Sequence, residues 1–336
     1  MASEQGQAKP ITIARNAFAV YAPMAMLAGM QLDVFTPLQN GPLSAAELAR
    51  VLGVRTEKLE VLLYGLVYAE LLTRKDDRFS NTPEADAYLV RGRTKFMGSI
   101  HELYSDLWGN LLKLAQSLRE DRPQGQHDFA VMSDAELGAF FRGLHSGAFA
   151  TGKQLAKRFY FERFNRLLDV GGGSGGVAIA ACEACPLLNA TILELPRVAP
   201  IAQSCVEEAG LSKRIAVVAG DILNGPPDGQ FDAAVLRHFI QVLGPGAIRR
   251  SLKNVCESIC PKGELFIVGH LLEDSRLSPE AAVGQSLVFL TIYEEGQAYT
   301  ETQYRTWLVE AGFSDIDFEF GTASGGASIV SARKVS

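Results

Sequence analysis

Cysteine is scarce in this 336-residue sequence, and the few present are poorly placed for a metal site or a disulfide framework. All five (Cys182, Cys185, Cys205, Cys256 and Cys260) lie in the second half. Cys182 and Cys185 have the spacing of a redox or metal pair, but they fall inside a helix expected to follow a glycine turn. No second pair or histidine cluster completes a zinc site, so all five read as plain buried thiols and no metal is expected. A reduced, cytoplasmic protein is the matching expectation. Positive charge is also in deficit. The 32 Lys and Arg against 38 Asp and Glu leave a formal net charge of −6, whereas a general nucleic-acid binder needs clustered cations for phosphate contacts. Long hydrophobic runs are missing too. The stretch Ala17–Met30 is short for a bilayer and carries Pro23 as a break, so no membrane span is expected. The first ten residues are polar and lack the basic and apolar regions of a signal peptide. Internal repeats and low-complexity stretches are absent.

The length itself predicts two domains. Residues 10–95 read as helical with one hairpin. Ser44-Ala45-Ala46-Glu47 is a capping box, and Gly53 closes the short helix it begins. Thr56 is expected to cap a second helix, in which Leu59, Leu62, Leu63, Leu66 and Val67 recur at helical spacing. Leu71-Leu72-Thr73 and Arg78–Thr82 then bracket a charged turn. Helix, helix and small hairpin form a winged-helix pattern, but Glu57, Lys58, Glu60 and Tyr64 do not make a basic reading face. A packing and dimerisation module is the better reading. Residues 95–160 continue as helices bearing His101, Tyr104, Trp108, Phe140, Phe141, His145 and Phe149, with Arg119–Asp128 expected as a loop.

From residue 166 short apolar strands alternate with helices. Strands are expected near 166–170, 190–194, 215–219, 231–236, 264–269, 313–320 and 327–332, which argues for an α/β fold with a mostly parallel sheet. The run Leu167-Leu168-Asp169-Val170-Gly171-Gly172-Gly173-Ser174-Gly175-Gly176 has the grammar of a strand ending in a tight turn that opens a helix. Glycines there let a ligand approach the backbone, and the helix N-terminus offers free N–H groups. Three further features fall at strand ends, where such sheets bind ligands: Glu194, Gly220-Asp221-Ile222, and Arg237-His238. A carboxylate such as Glu194 suits a ribose diol.

In this order and spacing, Asp169–Gly175, Glu194-Leu195-Pro196, Gly220–Leu223 and Val235–His238 resemble the class I S-adenosylmethionine-dependent methyltransferases of the plant caffeate and bacterial polyketide O-methyltransferase type. The closing segment Tyr299–Tyr304 and Ala311-Gly312-Phe313 fits the same family, so the resemblance spans nearly the whole chain. A nicotinamide-binding reading competes for the same glycines and for Glu194, but the ordered Glu-Leu-Pro and Gly-Asp motifs count against it. The resemblance implies a Rossmann-like, seven-stranded, mostly parallel sheet behind an all-helical winged-helix dimerisation domain. The expected division is 1–95 for dimerisation, 96–160 for a helical linker and substrate-pocket segment, and 161–336 for cofactor binding. It also implies a cytoplasmic homodimer acting on a small molecule of secondary metabolism, with no nucleic-acid or membrane partner. Asp169, Gly171 and Gly173 would shape the pocket for the methionine moiety, and Glu194 with Leu195 the ribose end. Asp221 and Ile222 would meet the adenine, and the Arg237 carbonyl its exocyclic amine.

The same resemblance places the usual histidine base four residues after the basic residue ending the fourth strand. That register reads Arg237-His238-Phe239-Ile240-Gln241-Val242, so Gln241 occupies the base position. Glutamine has no titratable proton and cannot serve as a base. The two glutamates that flank the base in the family correspond here to Gly269 and Ala298. Methyl transfer to a hydroxyl needs in-line positioning and removal of a proton. His145, His238 and His270 are the candidate displaced bases; each is otherwise a hydrogen-bonded structural imidazole. An acceptor acidic enough to ionise unaided needs no base. Tyr104, Trp108, Phe141, Phe149, Phe239, Phe289 and Tyr293 are expected to line an aromatic pocket, although aromatics at helical spacing are also ordinary core. Glu294 and Glu295 either supply a carboxylate or end a solvated helix. Two other outcomes stay open at this level: a cyclase, lyase or pericyclase that uses the sulfonium without methyl transfer, and an inactive cofactor-binding regulator.

Overall fold

The computed structural model describes residues 8–125, 129 and 131–335. It divides into two compact units, Met1–Ser105 and Asp106–Ser336.

The first unit begins with α1 (Ile11–Phe18) and α2 (Tyr21–Gln31). Pro23 does not break this stretch. It sits in the first turn of α2, where its missing N–H would have had no helical partner. Ile11–Gln31 is long and apolar enough to cross a membrane by length and composition alone, but it is two helices with a turn at Ala19 and Val20. Two-residue β1 (Leu43–Ser44) leads into α3 (Ala45–Leu52), whose start is the expected capping box. The Ser44 hydroxyl accepts from Glu47 N at 3.2 Å, and the Glu47 carboxylate accepts from Ser44 N at 2.7 Å. Gly53, at φ +68°, ends the helix in the left-handed conformation. Helix α4 (Thr56–Tyr68) starts one residue earlier than expected: Arg55 is the cap, and Thr56 is already helical and makes no capping bond. Strands β2 (Leu72–Lys75) and β3 (Arg78–Asn81) form the hairpin, and β1 adds a third strand in the order β1-β3-β2. Leu48, Leu63, Leu66 and Phe79 are buried beneath this wing. Helix α5 (Pro83–Leu89), capped by Thr82, follows it.

Helix α6 (His101–Leu111) spans the boundary between the units. The second unit continues with α7 (Leu114–Glu120), α8 (Asp134–Gly143) and α9 (His145–Arg158). Arg119 and Glu120 are therefore helical, and the expected loop begins at Asp121; Gln126–Asp128 lie outside the described residues. The chain then alternates β4 (Arg166–Val170), α10 (Gly176–Ala184), β5 (Asn189–Glu194), α11 (Ala199–Glu208), β6 (Ile215–Ala219), β7 (Phe231–Arg237), α12 (Pro245–Ser258) and β8 (Ile259–Gly269). Helices α13 (Glu280–Ile292) and α14 (Glu301–Ala311) precede β9 (Phe313–Glu319) and β10 (Ser328–Lys334).

The seven strands stand in the order β6-β5-β4-β7-β8-β10-β9, parallel except that β10 runs antiparallel to both its neighbours. The chain moves outward from β4 to β6 and then returns to β7 on the other side of β4. This reversal opens a crevice beyond the carboxyl ends of β4 and β7, the usual ligand position of an open α/β sheet. Both faces of the sheet are buried, and for this reason the strands read as continuous apolar runs. One face packs under α9 and α10 through Leu155, Val177 and Ile179, the other under α12 and α14 through Leu252, Tyr304 and Trp307. Four cysteines are buried, but Cys260 is only half-buried, next to the exposed Pro261 and Lys262 in β8. Cys185 caps the end of α10 and is not inside it.

Candidate active site

The crevice is built on the turn after β4. Gly171, Gly173 and Gly175 all take left-handed backbone angles, with φ of +62°, +59° and +74°. A Cβ on Gly171 would stand 2.7 Å from the Phe239 ring, and one on Gly173 would stand 3.1 Å from Phe141. The turn thus needs glycine both for its angles and for the rings that lie against it. Asp169 is fully buried beneath it. Its Oδ2 accepts from Ala178 N at 3.2 Å, while Oδ1 is buried without a partner. Burial, opposed by the Ala178 amide and reinforced by the charge of Glu194, pushes the Asp169 carboxyl up to about 7.

Glu194, at the end of β5, clamps the turn. Its Oε2 accepts from Gly173 N and its Oε1 from Leu195 N, both at 2.7 Å. Burial raises its carboxyl even so. The Leu195 side chain is exposed. Beyond β6, Asp221 Oδ1 accepts from Leu223 N at 2.8 Å and caps the 3₁₀ turn Ile222–Asn224, which buries Ile222. Arg237, at the end of β7, turns its guanidinium inward, where Nε donates to Thr151 Oγ1 at 3.1 Å. Desolvation lowers this guanidinium to about 10, and the Asp169 charge opposes the shift.

The candidate bases divide into two places. His238 and His270 lie together at the ends of β7 and β8, ring centroids 5.1 Å apart. Gln241 is buried between them, with Nε2 2.8 Å from His238 Nδ1 and Oε1 accepting from the His270 backbone N at 3.3 Å. Burial, and next the charge of Arg237, hold His238 well below its ordinary range and His270 at about 4. Both are neutral at pH 7. His270 Nδ1 is buried without a partner. Phe289 and then Tyr293 extend this group, ring to ring at 6.2 and 6.1 Å. Burial lifts the Tyr293 phenol to about 12.

His145 is elsewhere. Its Nδ1 is 2.9 Å from Ser174 Oγ on the glycine turn, and its ring stacks on Phe149. Both residues line a separate cleft of about 300 Å³ with Arg142, Ile179, Glu183, Cys205 and Glu208. Burial lowers the His145 imidazole, and Arg142 lowers it further. Phe141 belongs to a third group with Phe129 and Phe140. Tyr104 is half-buried in the first unit, where burial raises its phenol, and Trp108 is half-buried at the start of the second. Glu294 and Glu295 are exposed at the end of α13. Among the described residues no three His, Cys, Asp or Glu side chains gather as a metal site. Sequence reasoning missed Thr151 and Ser174, which hold Arg237 and His145. It also missed Gly152, whose four-residue spacing from Ala148 and Ala156 marks a small-residue face on α9.

The profile of the O-methyltransferase domain matches residues 112–314, and that of the O-methyltransferase dimerisation domain matches residues 15–91. The chain belongs to this family: it is an S-adenosylmethionine-dependent methyltransferase. It is 27% identical over 312 residues, 91% of this chain and 90% of the relative, to a 3-hydroxy-5-methyl-1-naphthoate 3-O-methyltransferase of Streptomyces sahachiroi. It is 25% identical over 313 residues, 91% and 92% of the two chains, to the tetracenomycin polyketide synthesis 8-O-methyl transferase of Streptomyces glaucescens. Human N-acetylserotonin methyltransferase, solved in complex with S-adenosylmethionine, superposes with a TM-score of 0.84 at 25% identity and full coverage of both chains. These relatives do not favour the cyclase, lyase, pericyclase or inactive readings. The residues present also fit the cofactor. The partnerless Asp169 Oδ1 suits the donor of an amino group, and the glycine turn takes left-handed angles that let the backbone approach a ligand closely.

Proposed function

We propose that this chain is a homodimeric, cytoplasmic O-methyltransferase of a small aromatic secondary metabolite, and that it works without a histidine base at position 241. The observation that carries this reading is the buried Gln241 set between two neutral histidines. The naphthoate and polyketide methyltransferases named above support an aromatic, hydroxylated acceptor. The dimerisation-domain match supports the homodimer. Free, mostly buried cysteines support a reducing compartment.

When bound, S-adenosylmethionine supplies a methyl group made electrophilic by a sulfonium. In this proposal Asp169, Gly171 and Gly173 hold its amino-acid end, Glu194 and Leu195 the ribose side, and Asp221, Ile222 and the Arg237 carbonyl the adenine. Phe239, Phe289 and Tyr293 exclude water and offer ring faces to a planar acceptor. Phe141 and Trp108 complete the wall. In the proposed organisation 1–95 serves dimerisation, 96–160 the acceptor pocket and 161–336 the cofactor. His270, at about 4, is too weak a base to take a phenolic proton at pH 7. His238 is held well below its ordinary range by burial, and His145 lies in the separate cleft, so in this proposal the acceptor arrives ionised and positioning supplies the rate.

The test is chromatography of the products formed from S-adenosylmethionine and a panel of hydroxylated aromatics. Formation of S-adenosylhomocysteine together with an O-methylated acceptor, strongest for the most acidic phenols, is expected. Methylthioadenosine alone, above the uncatalysed background, overturns the proposal.

A further inference from the structure

Gln241 is surrounded in a way that fixes the chemistry of its neighbour. The backbone N–H of His270 can only donate, so the Gln241 atom 3.3 Å from it must be the carbonyl oxygen. The amide NH₂ is then turned toward His238, 2.8 Å from Nδ1. An NH₂ group also only donates here, so Nδ1 must be the bare, accepting nitrogen. The proton of the neutral ring is left on Nε2.

Two features hold this arrangement in place. His238 has a left-handed backbone, φ +51°, and its N–H donates to Val268 O at 2.7 Å, which ties the residue to β8. A Cβ on Gly269 would overlap Gln241 Oε1, so glycine at 269 is what allows the glutamine to reach across. The two departures from the family pattern are therefore one steric unit. The charged and titratable groups that bear on His238 are Arg237 from β7 and His270 from β8, and both oppose an imidazolium. Among the described residues no carboxylate hydrogen-bonds either ring.

We propose that Gln241 is a positioning residue that locks His238 as the Nε2–H tautomer, making His238 a neutral hydrogen-bond donor to the acceptor's oxygen and not a base. The substrate class that suits such a site is a phenol or enol with an adjacent carbonyl. The carbonyl acidifies the reacting hydroxyl and supplies an oxygen to accept from Nε2. This substrate assignment rests on the methyltransferase reading above; the tautomer assignment does not.

The experiment is long-range ¹H–¹⁵N correlation on the full-length protein labelled with ¹⁵N-histidine, recorded without cofactor or acceptor. His238→Asn identifies the ring by its lost signals. The wild type is expected to show His238 protonated at Nε2. Gln241→Glu places an acceptor at both contacts, so the proton should move to Nδ1. With an acidic carbonyl-bearing phenol, its kcat/KM should fall by about tenfold while cofactor affinity is kept. Gln241→Met has similar length and no polar end, and should give a mixture of tautomers even if the glutamate variant folds poorly. A wild-type ring protonated at Nδ1, or an unchanged tautomer in both variants, overturns the proposal. Appearance of methylthioadenosine alone would remove the substrate assignment and leave the tautomer result standing.

Discussion

Asp169 is the residue at which binding and stability conflict. Its carboxyl is fully buried, one oxygen has no partner, and its folded value of about 7 stands above the ordinary carboxylate range near 4. Between those values the native protein holds a proton that the unfolded chain has lost. Against the upward slope that the depressed His238 and His270 imidazoles impose between about pH 4 and 6.5, Asp169 therefore contributes a downward slope to the stability of the cofactor-free protein from about pH 4 to 7. Asp169→Asn cannot ionise and should flatten that slope, leaving the variant more stable than wild type at pH 8 by on the order of 2 kcal/mol. It should also lose most cofactor affinity. Thermal melts across pH and calorimetric titration with S-adenosylmethionine check the two halves. A stability difference between wild type and Asp169→Asn that stays constant from about pH 4 to 7 would refute the assignment. The placement of Asp169 at a strand end was legible from the sequence, because apolar residues lead into it and glycines follow. Its missing partner was not, because burial of one oxygen depends on the close approach of α10.

At the scale of elements, α9 and α10 pack more extensively than any other helix pair of the second unit among the described residues. Gly152 on α9 lies so close that an added Cβ would stand 2.5 Å from Val177 O and 2.8 Å from Ala180 Cβ. Alanine in place of a helical glycine gains about 1 kcal/mol from backbone entropy. Overpacking against a backbone carbonyl that cannot yield costs about 1–3 kcal/mol, and here it should win. Gly152→Ala is expected to lower the melting temperature by several degrees, and to loosen the glycine turn that α10 carries. Gly138 on α8 is the control: nothing lies within 4 Å of its added Cβ, so Gly138→Ala should raise the melting temperature. If both substitutions stabilise, the close packing is misassigned. The strands around these helices were legible nearly residue for residue, since buried parallel strands are apolar runs bounded by Gly, Asp and Pro. Helix starts were less so. Thr56 has the chemistry of a cap, but the backbone turns helical at Thr56 itself and leaves Arg55 in the extended cap position. Pro23 looked like a break and is a first-turn proline. Gln241 was found by register alone. Its bond to His238 was hidden because the positive φ of His238 has no sequence signal outside glycine and asparagine.

For the whole molecule the open question of partners concentrates on α1 and α2. Ile11, Ile13, Phe18 and Tyr21 are 70%, 73%, 56% and 59% exposed in the single chain. Four large apolar side chains on one short stretch are unusual for a surface that stays wet, and each contributes about 1.5–3 kcal/mol when fully covered. Two covers compete, a second copy of the chain and a membrane, since Ile11–Gln31 passes the length and composition test for a span. The stretch is two helices joined by a turn at Ala19 and Val20, and it carries Arg15 in its first half. A charge and a break in mid-bilayer are costly, whereas both are tolerated at a protein interface. The dimerisation-domain match over residues 15–91 covers most of it. Light scattering at micromolar concentration should give twice the chain mass, and liposomes should not sediment the protein. Ile13→Asp combined with Phe18→Asp should yield a monomer. That monomer should still bind S-adenosylmethionine, because all the proposed cofactor residues, Asp169 to Arg237, belong to the second unit. A wild-type monomer that sediments with liposomes would instead assign these helices to a lipid surface.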